Sequence, residues 1–410
     1  MKLFARPKCF SEAIALVTNL SCFLGLRIFE YPRGHPRPIL SLIYFLFMFG
    51  IYYSGSRIIE EKYYLNIRLM KLEYVLYKIL RYVHVMSVIL NMLLGWWYTN
   101  KFRASHKKIF KIDETLRQLG LSENYNSIYF MTIGMITVWI TGSFILSIVA
   151  FIHLRIRTNI CTAVYIILCS MYPLTVNSIN IFEFYLFVRC LQIKFELINR
   201  FLCENLINLS RNKIKLNIFE LKEYAKIMDV EQQKHIFFST MIFRRLHLEL
   251  CKVSKIVCTI LGVQVAWEIV AIIMHLSGAS YNLFIRYIMY QYKVKGVPAQ
   301  TALTLSMSLL SIFKIVFVCR ICKNAANEGN KTIEIIHAIY GCNTDTDMQE
   351  EIQQFGIQIL QSPVTFSVFG LTLDNRILTM ILKSVTIYVV IMVQMSITLE
   401  SDNAVQDTQF

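Results

Sequence analysis

The sequence predicts an all-α membrane protein with seven transmembrane helices, a cytosolic N-terminus and an extracellular C-terminus. Three observations lead to this fold class. Of the 410 residues, 55% are hydrophobic and only 17% are charged, whereas soluble domains carry about a quarter charged residues. The apolar residues form seven runs, each long enough to cross the hydrocarbon core as a helix. The basic residues gather on alternate sides of these runs, as they do in multi-pass proteins.

Crossing the hydrocarbon core takes about 20 residues of helix. Seven predominantly apolar segments meet this requirement: 38–54, 75–98, 128–151, 160–188, 256–275, 299–319 and 373–397. We expect every one to be helical, because an open strand in lipid would leave backbone groups without hydrogen-bond partners. No internal repeat is visible in the sequence, which argues against a transporter built from two related halves.

The distribution of basic residues predicts the orientation of the chain. With the N-terminus in the cytosol, and with the boundary residues Arg189 and Lys255 set aside, the inner segments hold 26 lysines and arginines and the outer segments hold 9. This is the positive-inside pattern. A G-protein-coupled receptor has the opposite orientation, and no Asp-Arg-Tyr triplet follows the third span, so the sequence disfavours that class. The net charge of +15 is divided among the segments that flank the spans rather than gathered on one soluble face, so we expect no nucleic-acid partner.

The predicted organisation of the chain has five parts. They are a cytosolic N-terminal segment (1–37), a bundle of the first six spans with a cytosolic helical extension at 189–255 (38–320), a second cytosolic segment (321–372), the last span (373–397) and an extracellular tail (398–410). Apolar residues recur at helical spacing after the fourth span, at Leu191, Phe195, Ile198, Leu202 and Leu206. Such a stripe must be buried, so we expect a layer of helices on the cytosolic side.

The sequence contains none of the common catalytic or cofactor-binding motifs. There is no Gly-rich phosphate loop, His-Glu-x-x-His motif or nucleophile elbow, so no enzyme activity is predicted. The eleven cysteines are dispersed. The close pair Cys319 and Cys322 has no second pair and no histidine nearby, as a zinc site would require. We therefore expect no metal, no cofactor and no disulfide framework.

The last span carries a polar stripe. On a helical wheel, five polar side chains fall within an arc of about 80°: Arg376, Thr379, Lys383, Thr386 and Gln394. Such a stripe must face protein or water, because facing lipid costs a few kcal/mol per charge. It either packs against another helix of the same subunit or lines a pore closed by symmetry-related copies. Acidic partners near the spans are scarce (Glu183, Glu268 and Asp374), which favours water.

The end of this span resembles the C-terminal signature of insect gustatory receptors. That signature is Thr-Tyr, five apolar residues and Gln-Phe, and the corresponding stretch here is "IYVVIMVQM". Tyr388 and Gln394 match the signature, whereas Ile387 replaces its Thr and Met395 its Phe. Three upstream segments are also similar to the family: "FGLTLDNRIL" before the last span, "RRLHLELCKVSKIV" before the fifth, and "LGLRIFEYP" near the N-terminus.

The resemblance implies a tastant-gated, nonselective cation channel in the plasma membrane of sensory neuron dendrites. In that family the channel is a homotetramer whose last helix lines the pore, and we extend this expectation to a heterotetramer with related receptors. Gln394 and Met395 would lie at the gate, and Lys383 would lie on the pore face. Ile387, Val390 and Ile391 can form a hydrophobic constriction, and glutamine carbonyls can replace part of the hydration of a cation. The partners are then a small-molecule tastant, permeant cations and membrane lipid.

Polar residues within the spans predict where the tastant binds in the bundle. Gln264, Trp267 and Glu268 are spaced i, i+3, i+4 and share a helix face, and an intramembrane carboxylate points to function. The other candidates from the spans are Asn91, Trp139 and Thr304. A sugar is slightly favoured over a bitter compound. The residues alone also allow Gln264 and Glu268 to serve only as bonds between helices, and allow a receptor that signals without its own pore or a small-molecule carrier.

Overall fold

The structure is a computed structural model that describes residues 7–28, 37–59, 71–121, 124–155, 158–216, 222–285, 287, 297–342 and 346–407. In chain order its elements are α1 (Phe10–Ala13), α2 (Ala15–Phe23), α3 (Pro38–Ile59), α4 (Lys71–Trp97), α5 (Thr99–Gln118), α6 (Asn126–Arg155), α7 (Ile160–Leu216), α8 (Lys222–Phe284), α9 (Val297–Cys342), α10 (Thr346–Gln361), β1 (Ser367–Val368), β2 (Leu371–Thr372) and α11 (Asn375–Asp407).

Seven helices in the described part of the chain are long and apolar enough to cross a membrane. They are α3, α4, α6, α7, α8, α9 and α11, and each overlaps one of the seven segments predicted from the sequence over nearly the whole length of that segment. The predicted all-α fold with seven membrane-spanning helices is confirmed. The last candidate span, Asn375–Thr398, agrees closely with the predicted 373–397, and α11 continues beyond it as helix through Asp407.

Three of these helices extend far beyond the membrane. Helices α7, α8 and α9 contain 57, 63 and 46 residues. At about 1.5 Å per residue, even the shortest is more than twice as long as the hydrocarbon core is thick. The predicted extension of the fourth span is therefore present, and the fifth and sixth spans extend in the same way.

The extensions pack with α10 into the expected helical layer. Phe195, Ile198 and Leu202 of α7 are buried there, together with Phe243 of α8 and Phe355 of α10. The side chain of Leu206, the last member of the predicted stripe, lies outside the described residues. Nε2 of His247 in α8 donates a 3.0 Å hydrogen bond to the backbone carbonyl oxygen of Gly329 in α9. Burial lowers the pKa of His247 below its usual value, so the ring is neutral within this core.

The N-terminal segment packs against the other helices. Phe10, Ile14 and Val17 of α1, α2 and the turn between them are buried. The Ser21 hydroxyl donates a 2.7 Å hydrogen bond to Oε1 of Glu183 in α7. The Arg27 guanidinium forms an ion pair with the same carboxylate. A buried charge requires such a partner, so this ion pair fixes the segment to the fourth span.

A short hairpin directs the chain into α11. Strands β1 and β2 pair antiparallel, and their two turn residues, Phe369 and Gly370, have φ of 50° and 80°, as a tight two-residue turn requires. Val368 packs against Gly262 of α8, where a Cβ atom would lie 2.7 Å from Cγ2 of Val368. The Asp374 carboxylate accepts a 2.8 Å hydrogen bond from the backbone N–H of Arg376, which caps the start of α11.

Candidate ligand-binding cavity and pore-lining helix

A cavity of about 360 Å³ lies between α3, α4, α7, α8 and α9. This volume is at the lower end of the range of small-molecule sites. Many of its lining residues are polar, namely Tyr52, Ser56, Tyr77, Arg81, His84, Ser170, Asn177, Glu268, His275, Asn282, Thr304 and Ser311. Apolar residues such as Leu80, Leu174 and Ile272 lie between them. The cavity therefore combines apolar walls with dispersed hydrogen-bonding groups.

Helical periodicity brings the polar residues to one cavity. Tyr77, Arg81 and His84 are spaced i, i+4, i+7 along α4, and Glu268 and His275 are seven residues apart on α8, so each set shares one face of its helix. Close approach of α4 and α8 supports this wall, since a Cβ on Gly278 would lie 3.1 Å from a methyl group of Leu76. Two of the lining residues are bonded to each other, since the amide of Asn282 donates a 2.5 Å hydrogen bond to the Tyr77 hydroxyl.

Glu268 forms a buried ion pair behind the cavity wall. Its Oε1 lies 3.5 Å from Nζ of Lys314 in α9, and the two side chains are 9% and 7% exposed. Lys314 also lies over the ring of Trp139 in α6, with 5.3 Å between Nζ and the ring centroid. Oε2 of Glu268 is buried and has no hydrogen-bond partner among the described residues, and the same holds for Nε2 of His275. Both residues line the cavity, so a bound molecule can supply the missing partners.

A second polar layer adjoins the cavity. The amide of Asn91 donates a 2.7 Å hydrogen bond to Oδ1 of Asn177, and the Ser87 hydroxyl donates to the same atom over 2.9 Å. Gln264 donates to the backbone carbonyl of Asn91 over 3.4 Å. Asn177 lines the cavity, whereas Asn91 and Gln264 hold the helices that carry it.

The six predicted ligand-binding residues thus take different positions. Glu268 and Thr304 line the cavity, Asn91 and Gln264 belong to the adjoining layer, and Trp139 contacts Lys314 behind Glu268. Trp267 is not one of the described residues that line the cavity. Its indole nitrogen is buried and has no hydrogen-bond partner among the described residues of the chain.

Sequence reasoning missed several polar lining residues. His275 lies two helical turns after Glu268, so the i, i+7 spacing could have identified it. Arg81 shares a helix face with Tyr77 and His84, so their spacing along α4 could have identified it, whereas the place of Asn282 depends on how α4 and α8 pack.

The polar stripe of α11 faces away from its own subunit. Ile377 and Ile381 of the opposite face are buried where α11 packs on α8 and α9. All five polar residues of the stripe are exposed. So are the other predicted pore and gate residues: Ile387, Val390, Ile391 and Met395. Within the described part of a single chain, the stripe is therefore not packed against another span.

Comparison with known proteins shows where this architecture recurs. The fold is similar to the insect olfactory receptor OR5 from Machilis hrabei, with TM-scores of 0.65 for the receptor and 0.60 for its complex with eugenol, each at 10% identity. These similarities cover 93% of this chain and 97% of the receptor, and 94% and 99% for the complex. At this identity the match concerns the fold alone.

At the level of sequence, the chain is similar to one insect receptor over part of its length and to one receptor family over nearly all of it. A stretch of 149 residues is 28% identical to the Gustatory receptor for sugar taste 43a of Drosophila melanogaster, which spans 36% of this chain and 34% of that receptor. The chain thus matches about a third of the length of this relative. The model of the 7tm chemosensory receptor family matches residues 14–399, nearly the entire chain. This multi-pass membrane protein therefore belongs to the 7tm chemosensory receptor family.

Proposed function

We propose that this protein is a gustatory receptor that acts as a tastant-gated, nonselective cation channel in the plasma membrane of sensory neuron dendrites. The observation that carries the proposal is the polar stripe of α11, which is exposed on the single chain. Lysine and arginine side chains within a span must meet water or protein. Association of several copies around an axis satisfies this requirement, because each contributes the same helix to a common water-filled pore.

In this proposal the pore is formed by a homotetramer, or by a heterotetramer with related receptors. Gln394 and Met395 lie at the gate. Ile387, Val390 and Ile391 narrow the pore with apolar side chains, which resist wetting when the channel is closed. The amide carbonyls of Gln394 face permeant cations when it is open. Lys383 lies on the same face, about three helical turns toward the cytosolic end in the predicted orientation.

The cavity between α3, α4, α7, α8 and α9 is the proposed tastant site. Glu268 and Thr304 contact the ligand, Asn91 and Gln264 support the site, and Trp139 acts through Lys314. A sugar is favoured over a bitter compound, since hydroxyl and amide groups surround apolar wall residues. The partial similarity to a receptor named for sugar taste agrees with this choice. Because α8 and α9 both line the cavity and pack against α11, ligand-induced movement of either helix reaches the pore.

Whole-cell recording from cells that express this chain alone tests the proposal. We expect a cation current when sugars are applied, and a smaller or no current with bitter compounds. Cells expressing the chain with Gln394→Leu at equal surface density serve as the control, because an apolar gate should reduce current without altering ligand binding. Tastant-evoked second-messenger signals with no current of this kind would instead indicate a receptor without its own pore. Tastant uptake would indicate a carrier.

A further inference from the structure

We infer that the cavity selects uncharged polyhydroxylated ligands over organic cations, and that Lys314 sets this selectivity by neutralising Glu268 from behind the cavity wall. The inference rests on the proposed function in one respect only, the use of this cavity as the tastant site. It assigns a specificity role to a residue that does not itself line the cavity, and it separates sugars from amine-bearing compounds on physical grounds.

The charges in and around the cavity disfavour organic cations. Among the described lining residues, Glu268 is the single carboxylate and Arg81 the single guanidinium. Lys314 pairs with Glu268 at 3.5 Å, and both side chains are buried. An ammonium ion that enters the cavity loses its hydration and meets a carboxylate that is already compensated. The positive charge of Arg81 opposes it further, so a cationic ligand gains little from binding.

The carboxylate of Glu268 requires a hydrogen-bond donor from the ligand. Lys314 approaches Oε1 of Glu268, whereas Oε2 is buried without a partner among the described residues. A carboxylate oxygen only accepts hydrogen bonds, so the ligand has to donate. Hydroxyl groups donate without carrying charge. An ionised acidic group has no proton to donate to Oε2, so Glu268 offers a carboxylate ligand no hydrogen bond.

The part of the cavity wall that α8 forms has polar groups at two places with an apolar surface between them. His275 also presents a buried ring nitrogen without a partner among the described residues. It lies seven residues beyond Glu268, which is about 10 Å along the helix. Ile272 lies between them and gives an apolar surface. A molecule with hydroxyl groups at both ends and a C–H face in the middle complements this wall, and sugars have that chemistry.

The test compares ligands that differ in charge but share a scaffold. The purified receptor in detergent is heated with D-glucose, D-fructose, sucrose or trehalose, and with D-glucosamine hydrochloride or quinine. A ligand that binds the folded protein raises the unfolding temperature. For the wild type we expect at least one neutral sugar to raise it and both cations to leave it unchanged. Stabilisation by a cation, or by none of the sugars, would overturn the inference.

Variants of Lys314 test the proposed cause. Lys314→Gln leaves Glu268 uncompensated, so the affinity for glucosamine relative to glucose should rise about tenfold or more. Lys314→Arg keeps the charge and should preserve the wild-type preference. The double variant Glu268→Gln with Lys314→Gln removes both charges of the ion pair and should again reject glucosamine. An unchanged preference in folded Lys314→Gln would refute the role of Lys314.

The binding measurement separates this inference from the proposed function. Sugars that stabilise the receptor but evoke no current would leave the selectivity intact and reject the channel. A sugar-evoked current in a receptor that binds glucosamine or quinine more tightly than sugars would support the channel and reject the proposed selectivity. If Lys314→Gln does not fold, the ligand series on the wild type still decides whether the cavity prefers neutral ligands.

Discussion

The ion pair between Arg27 and Glu183 provides a quantitative prediction about what holds the N-terminal segment in place. The side chains are 6% and 1% exposed. Nε of Arg27 donates to Oε1 of Glu183 over 3.3 Å, and the guanidinium carbon lies 3.2 Å from the ring centroid of Phe102 in α5. Arg27→Met removes the positive charge and leaves Glu183 buried without it. Removing one partner of a buried pair costs about 3–5 kcal/mol.

The thermal unfolding midpoint of the purified protein in detergent measures this loss. Arg27→Met should unfold at a clearly lower temperature than the wild type. The double variant Arg27→Met with Glu183→Met should recover most of the loss, because two apolar side chains leave no buried charge. Recovery distinguishes desolvation of Glu183 from simple loss of packing around Arg27.

A surface ion pair on α5 supplies the matched control. Arg117 and Glu114 lie 2.8 Å apart, but their side chains are 71% and 40% exposed. Exposed pairs contribute about 1 kcal/mol or less, so Arg117→Met should leave the midpoint nearly unchanged. Equal midpoints for the wild type and Arg27→Met, or a double variant no more stable than the single one, would refute the reasoning.

Glu268→Gln should shift the tastant concentration for half-maximal current about tenfold, whereas Trp267→Ala, outside the described cavity lining, should shift it little. In the helical layer, a Cβ on Gly329 would lie 2.6 Å from Cγ2 of Val364, so Gly329→Ala should lower the unfolding midpoint by overpacking, and Val364→Ala should restore it. Burial and a nearby guanidinium lower the pKa of His106 from 6.5 to about 3. The unfolded chain therefore binds a proton that the folded chain does not, stability falls as the pH drops below about 6.5, and His106→Phe should weaken that dependence in unfolding scans at pH 5–8.

The spans and the stripe of α11 were predictable because both depend on local periodicity. Length and apolarity identify a membrane helix, and five polar residues at helical spacing identify one face of α11. The extension of α7 was predictable for the same reason, since Leu191, Phe195 and Ile198 repeat at helical intervals and are all buried.

The cavity was only partly predictable because it depends on contacts between helices distant in sequence. Glu268 and Trp267 are consecutive, and only the rotation of α8 against α4 and α9 decides that Glu268 lines the cavity. The partner of Glu268 was also not deducible. Near the spans, Arg376 and Lys383 were competing cations, yet the structure pairs Glu268 with Lys314 through the packing of α8 on α9.

The central claim, that α11 lines a cation pore, is tested most directly by reversal potentials of channels altered at Gln394. In the proposed channel every subunit contributes one such residue to the axis, so Gln394→Glu would place several carboxylates at the gate, where repulsion would keep some of them protonated. With external sodium replaced by calcium, and at matched surface expression, we predict a reversal potential shifted toward higher calcium permeability than in the wild type. Gln394→Asn keeps the amide and should leave the potential near that of the wild type. A reversal potential identical in Gln394→Glu and wild type, with tastant-evoked currents intact, would contradict the account.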